Sequence, residues 1–194
     1  MSSIIGYSDT LLHVKISEEQ QKKALEHINS ECRRLERLSG KMMTLIGLYD
    51  EDRIHKEPYP VDRLVREVAD LERYHMQDSQ MELLAFSESW ECEMDVDLME
   101  SLLVNLLDNA IKASKPGSVI ELHGEKGCIW VRDFGKGIPK EEIPRITEAF
   151  YMVDKSRARP KSSGLGLAIS AKIAEIHNTQ LSYQSKVGEG TSVH

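Results

Sequence analysis

Cysteine is scarce in this chain: three residues, Cys32, Cys92 and Cys128, stand far apart among 194. An odd number without close pairs excludes a disulfide framework and the paired spacing of a zinc or redox motif. The seven histidines are equally scattered, so no run of His, Cys and carboxylate has metal-ligand spacing. Long apolar runs are missing too, which leaves no span for a bilayer, and Met1 is followed by no basic-then-apolar leader. Positive charge is outweighed: 25 Lys and Arg against 32 Asp and Glu give a net charge of −7. That balance argues against a general nucleic-acid or anionic-membrane surface, although the basic cluster from Lys155 to Lys161 offers a local patch for phosphates. The expectation is a reduced, cytoplasmic chain, 40% hydrophobic, large enough for one domain or two modest ones.

What is present begins with helix. Residues 1–12 carry Ile4, Ile5, Leu11 and Leu12 at helical spacing with no cap at Met1, as if the helix were already under way. After a link around His13 to Ser17, Ser17 with SEEQ opens a long charged helix. Its apolar stripe runs through Leu25, Ile28, Cys32, Leu35, Met42 and Leu45, with Leu38 and Ile46 beside it. Spacings of three and four make this a bundle stripe. Two such helices cannot bury both stripes alone, so a homodimer through residues 1–50, forming a four-helix bundle, is expected; the alternative is a helical cap folded on the rest of the chain.

Residues 51–60, closed by Pro58 and Pro60, read as a linker to a second domain over 61–194. There, helical spacing returns through Leu64, Val65, Val68 and Leu71, and MELLAF reads as a strand. Asp95 or Asp97 can cap a helix from about Leu98 to Ala113, stopped by Pro116 and Gly117. SVIELHG and GCIWVRD form a hairpin, a helix follows over Leu165 to His177, and QLSYQS and TSVH are strands. Together these predict an α+β protein: a helical hairpin, then an α/β sandwich with a mixed, largely antiparallel sheet.

Three stretches carry chemistry. On the helix before Ala113, ~100° per residue places Asn105, Asn109 and Lys112 within an arc of about 60°. Amide oxygens are hard ligands for a metal and a lysine is a point charge for phosphate. Asp133 then ends a strand before Phe134, Gly135, Lys136 and Gly137; a carboxylate only accepts hydrogen bonds, so it can hold the amine of adenine and repels a carbonyl there. Finally SSGLGLAIS opens a helix whose first amides favour phosphate, and the basic segment before it, within 151–163, reads as a mobile lid. KVGEGTSVH adds another glycine turn, with Thr191 as a phosphate or packing hydroxyl. Taken alone, each has an ordinary reading: a wet helix face, a common turn, a solvated basic loop, a hairpin. Their order makes an ATP pocket the better account.

The series NLLDNAIK, DFGKGIP, EAFYMVDKSR, SGLGLAIS and GEGTS resembles the asparagine, glycine and phenylalanine boxes of sensor histidine kinases, within the superfamily of DNA gyrase, the heat-shock chaperone and MutL. SSIIGYSDTLL is similar to the sequence that follows the phosphoacceptor box of that family. The resemblance implies ATP with Mg, homodimerisation through 1–50, and relay to a response-regulator receiver domain, with no nucleic-acid partner and no membrane contact by these residues. It implies Asn109 as the magnesium ligand, Asn105 as its companion and Lys112 facing phosphate. Asp133 is implied at adenine with Gly135 and Gly137, Phe150 and Tyr151 under the lid, Gly164, Leu165 and Gly166 at the phosphates, and Gly188, Gly190 and Thr191 in the last box. Lys155 or Arg157 is implied at the γ-phosphate, because Met152, Lys161 and Ser162 depart from the family's arginine and glycine pair. The acceptor box H-E-x-[KR]-T-P is expected just ahead of Met1, so these residues should bind nucleotide without autophosphorylating. The alternatives are a nucleotide-gated ATPase or interaction module of the gyrase and chaperone group, and an anti-sigma-type serine kinase.

Overall fold

The computed structural model describes residues 2–50, 54–153 and 164–194. Lys155 and Arg157, and most of the expected lid, lie outside the described residues. Contacts divide the chain into two units, Met1–Thr44 and Leu45–His194.

The first unit is a helical hairpin of α1 (Ser2–His13) and most of α2 (Glu18–Gly47). A reciprocal capping box sets the start of α2. Ser17 Oγ accepts the Gln20 N–H at 3.3 Å, and Gln20 Oε1 accepts the Ser17 N–H at 3.0 Å. Two helices alone leave most of the stripe in water: Ala24 is buried, whereas Ile5, Leu12, Leu25, Met42 and Met43 are exposed.

The second unit runs β1 (Glu57–Pro60), α3 (Val61–Asp78), β2 (Glu82–Ser87), β3 (Glu91–Met94), α4 (Val96–Ala113), β4 (Val119–Glu125), β5 (Cys128–Asp133), α5 (Gly166–Ile176), β6 (Tyr183–Lys186) and β7 (Gly190–Val193). Five strands form one sheet in the order β2-β4-β5-β7-β6. The β2–β4 pair is parallel and the others are antiparallel, so the mixed, largely antiparallel sheet expected from the sequence is found. Its parallel pair requires a crossover, and α4 lies on that connection. Helices α3 and α4 pack on the sheet, and α5 packs on α4.

The core between the layers follows from period. In β4, Ile120 and Leu122 are buried and alternate with half-exposed Glu121 and His123. On the helices packed over them, Leu64, Val65 and Val68 of α3 and Leu103 and Leu107 of α4 are fully buried. Each such side chain removed from water contributes about 1.5–3 kcal/mol. The opposite face of the sheet carries an aromatic row, in which the His123 and Trp130 rings stack at 4.2 Å and Phe86 and His194 flank them at 6.0 Å each.

Three details differ from the sequence reading. Glu57–Pro60, placed at the close of the linker, pairs antiparallel with β3 as a two-stranded ribbon. Prolines are tolerated there because the ribbon offers edge positions that need no donor. Strand β3 itself was not expected, since only Met94 of its four residues is buried. Leu71, expected on the apolar face of α3, is 56% exposed, and Glu72 turns inward instead.

Candidate functional site

Helix α4 begins at Asp95, whose side chain accepts the Leu98 N–H at 3.1 Å. Leu102, Leu103, Leu106, Leu107, Ala110 and Ile111 are buried and form its apolar face. With that face fixed, Asn105 and Asn109 fall at its half-buried margin and Lys112 is exposed. The Asn109 Nδ2 atom is buried without a hydrogen-bond partner. A buried amide donor in that state has lost water and gained nothing, at a cost of about 1–3 kcal/mol, which a ligand can offset.

Asp108, on the same helix, joins a cluster of ionisable side chains. Glu72, His75 and Asp108 bring one ligand atom each within 4.8 Å of one another. His75 Nδ1 is 3.0 Å from Glu72 and 3.5 Å from Asp108. The Lys112 ammonium stands 3.2 Å from Asp108, so the acidic pair already has a cation beside it.

Asp133 ends β5 and is 6% exposed. Burial pushes its carboxyl above the usual carboxylate range, against the backbone amides of Gly135 and Thr191, which hydrogen-bond to it and pull the other way. The Gly135 N–H reaches Oδ1 at 2.8 Å. A carboxylate has about four acceptor positions, so capacity remains for a ligand donor.

The glycine loops are here because backbone must pass close to backbone. A Cβ on Gly135 would lie 2.3 Å from the Ala113 carbonyl, and the Lys136 N–H donates to that same oxygen at 3.1 Å. The Asp133 loop is thereby docked on the C-terminal end of α4, one turn beyond Asn109. Gly190 has φ +107, and a Cβ there would lie 2.0 Å from the Asp133 carbonyl oxygen. Gly137 lies against the Lys186 carbonyl in the same knot.

Thr191 is buried and pairs with Asp133 in the ladder between β5 and β7. Its hydroxyl lies 2.9 Å from Ser185 Oγ, which makes it a packing group here. Ser185 was not singled out by the sequence, yet its hydroxyl accepts the Ile138 N–H at 2.7 Å and donates to the Gly190 carbonyl at 3.0 Å. It ties the first glycine loop to the last. A serine in a four-residue strand carries no local signal of such a role.

A second group assembles around the start of α5. The Phe150 N–H donates to the Gly164 carbonyl at 2.9 Å, and Gly164 lies against the Phe150 and Tyr151 backbone. Phe150 is in the left-handed region, φ +66, and is 55% exposed. Tyr151 donates its hydroxyl to Glu142, and the Arg145 guanidinium covers its ring at 4.2 Å. Leu165 is fully buried and precedes Gly166, the first residue of α5. Leu165 therefore anchors the loop in the core, while the loop backbone and first amides of α5 remain the groups suited to an anion.

The family model described as Histidine kinase-, DNA gyrase B-, and HSP90-like ATPase matches residues 94–194. Sensor protein SrrB of Staphylococcus aureus (strain NCTC 8325 / PS 47) is 28% identical over 200 residues, covering 99% of this chain and 34% of SrrB. The chain thus spans about a third of the length of the curated relatives it matches. Among solved structures, full-length ShkA in complex with AMPPNP has a TM-score of 0.72 at 22% identity, covering 98% of this chain and 41% of that one. Histidine kinase ThkA in complex with response regulator protein TrrA has a TM-score of 0.71 at 20% identity, covering 98% and 55%. These two likenesses establish a shared fold. Among the described residues, no helix is long and apolar enough to cross a membrane.

Proposed function

The chain belongs to the histidine kinase-, DNA gyrase B- and HSP90-like ATPase family, and from that premise we propose that it is the ATP-binding catalytic core of a sensor histidine kinase. The observation that carries the adenine end is the Asp133 carboxylate, buried and fixed by two backbone amides with acceptor capacity to spare. The alignment with SrrB runs through the helical hairpin as well as the second unit, which favours this reading over a gyrase-like module or a serine kinase.

In the proposed mechanism Asp133 accepts the adenine amine. Asn105, Asn109 and Lys112 face the polyphosphate from α4, and Gly164, Leu165 and Gly166 present backbone amides at the start of α5. Asn109 would hold a magnesium ion through its side-chain oxygen, a hard ligand, and its buried, unpartnered Nδ2 leaves the amide untethered on that side. When bound, Mg²⁺ would neutralise charge on the phosphate oxygens. The chain's own part is positioning: it holds the base, orients the phosphates and leaves the γ-phosphoryl group facing its acceptor. The P–O bond to ADP breaks and ADP leaves, a P–N bond to a histidine forms, and the imidazole's proton passes to water. Lys155 or Arg157 is the proposed cation at the γ-phosphate.

The exposed stripe of the hairpin supports a homodimer that buries it as a four-helix bundle, with the acceptor in the box expected ahead of it. A response-regulator aspartate is the proposed next acceptor, by likeness to ThkA, whose structure holds such a partner. With the expected acceptor box restored ahead of residue 1, labelled ATP tests the chemistry: phosphate on its histidine should be lost in acid, as a phosphoramidate is, and acid-stable label would overturn the assignment. Asn109→Ala should weaken Mg-ADP binding about tenfold and leave metal-free ADP nearly unaffected. Calorimetric titrations with and without magnesium measure both.

A further inference from the structure

Three segments of the second unit meet at Asp95. One carboxylate oxygen, Oδ1, accepts the Leu98 N–H at 3.1 Å and caps α4. The other, Oδ2, accepts the His55 N–H at 3.0 Å from the segment that leads into β1. The Asp95 backbone N–H donates to Nε2 of His177, the residue that ends α5, at 3.0 Å.

The second nitrogen of that ring, Nδ1, lies 2.8 Å from the Ile173 carbonyl oxygen. A carbonyl only accepts, so Nδ1 must carry a proton; a backbone N–H only donates, so Nε2 must be bare. One form of histidine satisfies both neighbours: the neutral imidazole protonated at Nδ1. A second proton, on Nε2, would set N–H against N–H.

The two helices joined here are the ones that face the nucleotide in the reading above, on which this inference rests. Helix α4 carries Asn105, Asn109 and Lys112, and α5 follows the Gly164 loop. We propose that His177 is a positioning residue for nucleotide binding: in its neutral form it locks the end of α5 to the start of α4 at Asp95, the residue that also holds the His55 segment, and protonation releases the His177 lock.

The charged groups around the ring come from several elements. Asp95 has both carboxylate oxygens engaged by backbone donors. Lys56, just before β1, sets its ammonium 2.5 Å from the Ile176 carbonyl. On α5 itself, Glu175 is paired with Lys172 at 3.0 Å, and that lysine also lies over the Tyr49 ring at 4.6 Å. The clash of two N–H groups at Asp95 decides that the lock opens.

His177→Gln supplies the discriminating variant, because a terminal amide offers one acceptor and one donor and takes up no proton. Mg-ADP binding by the whole chain is titrated from about pH 8 down to about pH 5.5. The native protein should lose about fivefold more affinity over that range than His177→Gln, and the two should agree at the alkaline end. Ring NMR of native His177 should report the Nδ1–H tautomer, a readout independent of how the variant folds. Parallel pH profiles in the two proteins, or an Nε2–H tautomer, would overturn the inference while leaving the nucleotide site intact. A native chain that binds no Mg-ADP at any pH would overturn both.

Discussion

Asp133→Ala is expected to weaken Mg-ADP binding by about thirtyfold to a hundredfold, the range for losing a hydrogen bond to a buried charged group. Specificity is the sharper readout. Inosine diphosphate presents a carbonyl where ADP has its amine, and a carboxylate repels it, so the native protein should strongly prefer ADP. In the alanine variant that preference should shrink to about twofold. A variant that still discriminates the two bases like the native chain would refute the role given to Asp133. pH separates the same group's effects on binding and on folding. Its carboxyl is raised by burial, so between the usual carboxylate range and the raised value the folded chain holds more protons than the unfolded one. Through that window this group's contribution to stability falls as pH rises, while affinity for the adenine amine grows as the carboxylate ionises. The difference in pH profile between native and Asp133→Ala proteins isolates both trends.

Gly190→Ala should produce the largest loss of stability among single changes at the site. The backbone there has φ +107, and the added carbon would meet the Asp133 carbonyl oxygen at 2.0 Å and the Phe134 Cα at 2.7 Å. Neither atom belongs to a side chain that can swing away, so β7 must separate from β5 at the Asp133–Thr191 pair. Backbone strain of this kind costs about 1–3 kcal/mol before any clash is added. A total near 3 kcal/mol or more is expected, lowering Tm by about 6–12 °C, with nucleotide affinity falling alongside. Gly188→Ala is the control: φ is +83, but nothing lies within 4 Å of the added carbon, so about 1 kcal/mol is expected. Equal thermal shifts in the two variants would remove the close approach as the reason for Gly190.

Local rules carried the parts of the fold that local chemistry decides. Ser17 and Gln20 close the capping box, Asp95 caps α4, and the alternation in β4 marks the sheet's inner face. Strand β3 escaped because Glu91, Cys92 and Glu93 are exposed and Met94 alone is buried, which leaves no alternation to read. Leu71 and Glu72 exchange expected roles because a buried carboxylate is tolerated once His75 stands beside it, and that depends on how α3 meets α4. At the site, residue types and order placed Asn109 and Asp133 on the elements where they are found. The docking of the Asp133 loop on the Ala113 carbonyl, the Ser185 knot and the Asp95–His177 junction join residues tens of positions apart, and a single sequence records no such pairing.

The one parallel pair in the sheet governs the order in which these parts come together. The β4–β5 hairpin closes across a tight turn at Gly127, and such local pairings form within microseconds. The β2–β4 pair cannot form until the chain through β3 and α4 has crossed over the sheet, and contacts of that sequence separation are slow because loop closure comes first. The amide stripe sits on that crossover, so the proposed phosphate wall is expected to be among the last surfaces to be completed. The Asp133 carboxylate, at the end of the early hairpin, waits for it.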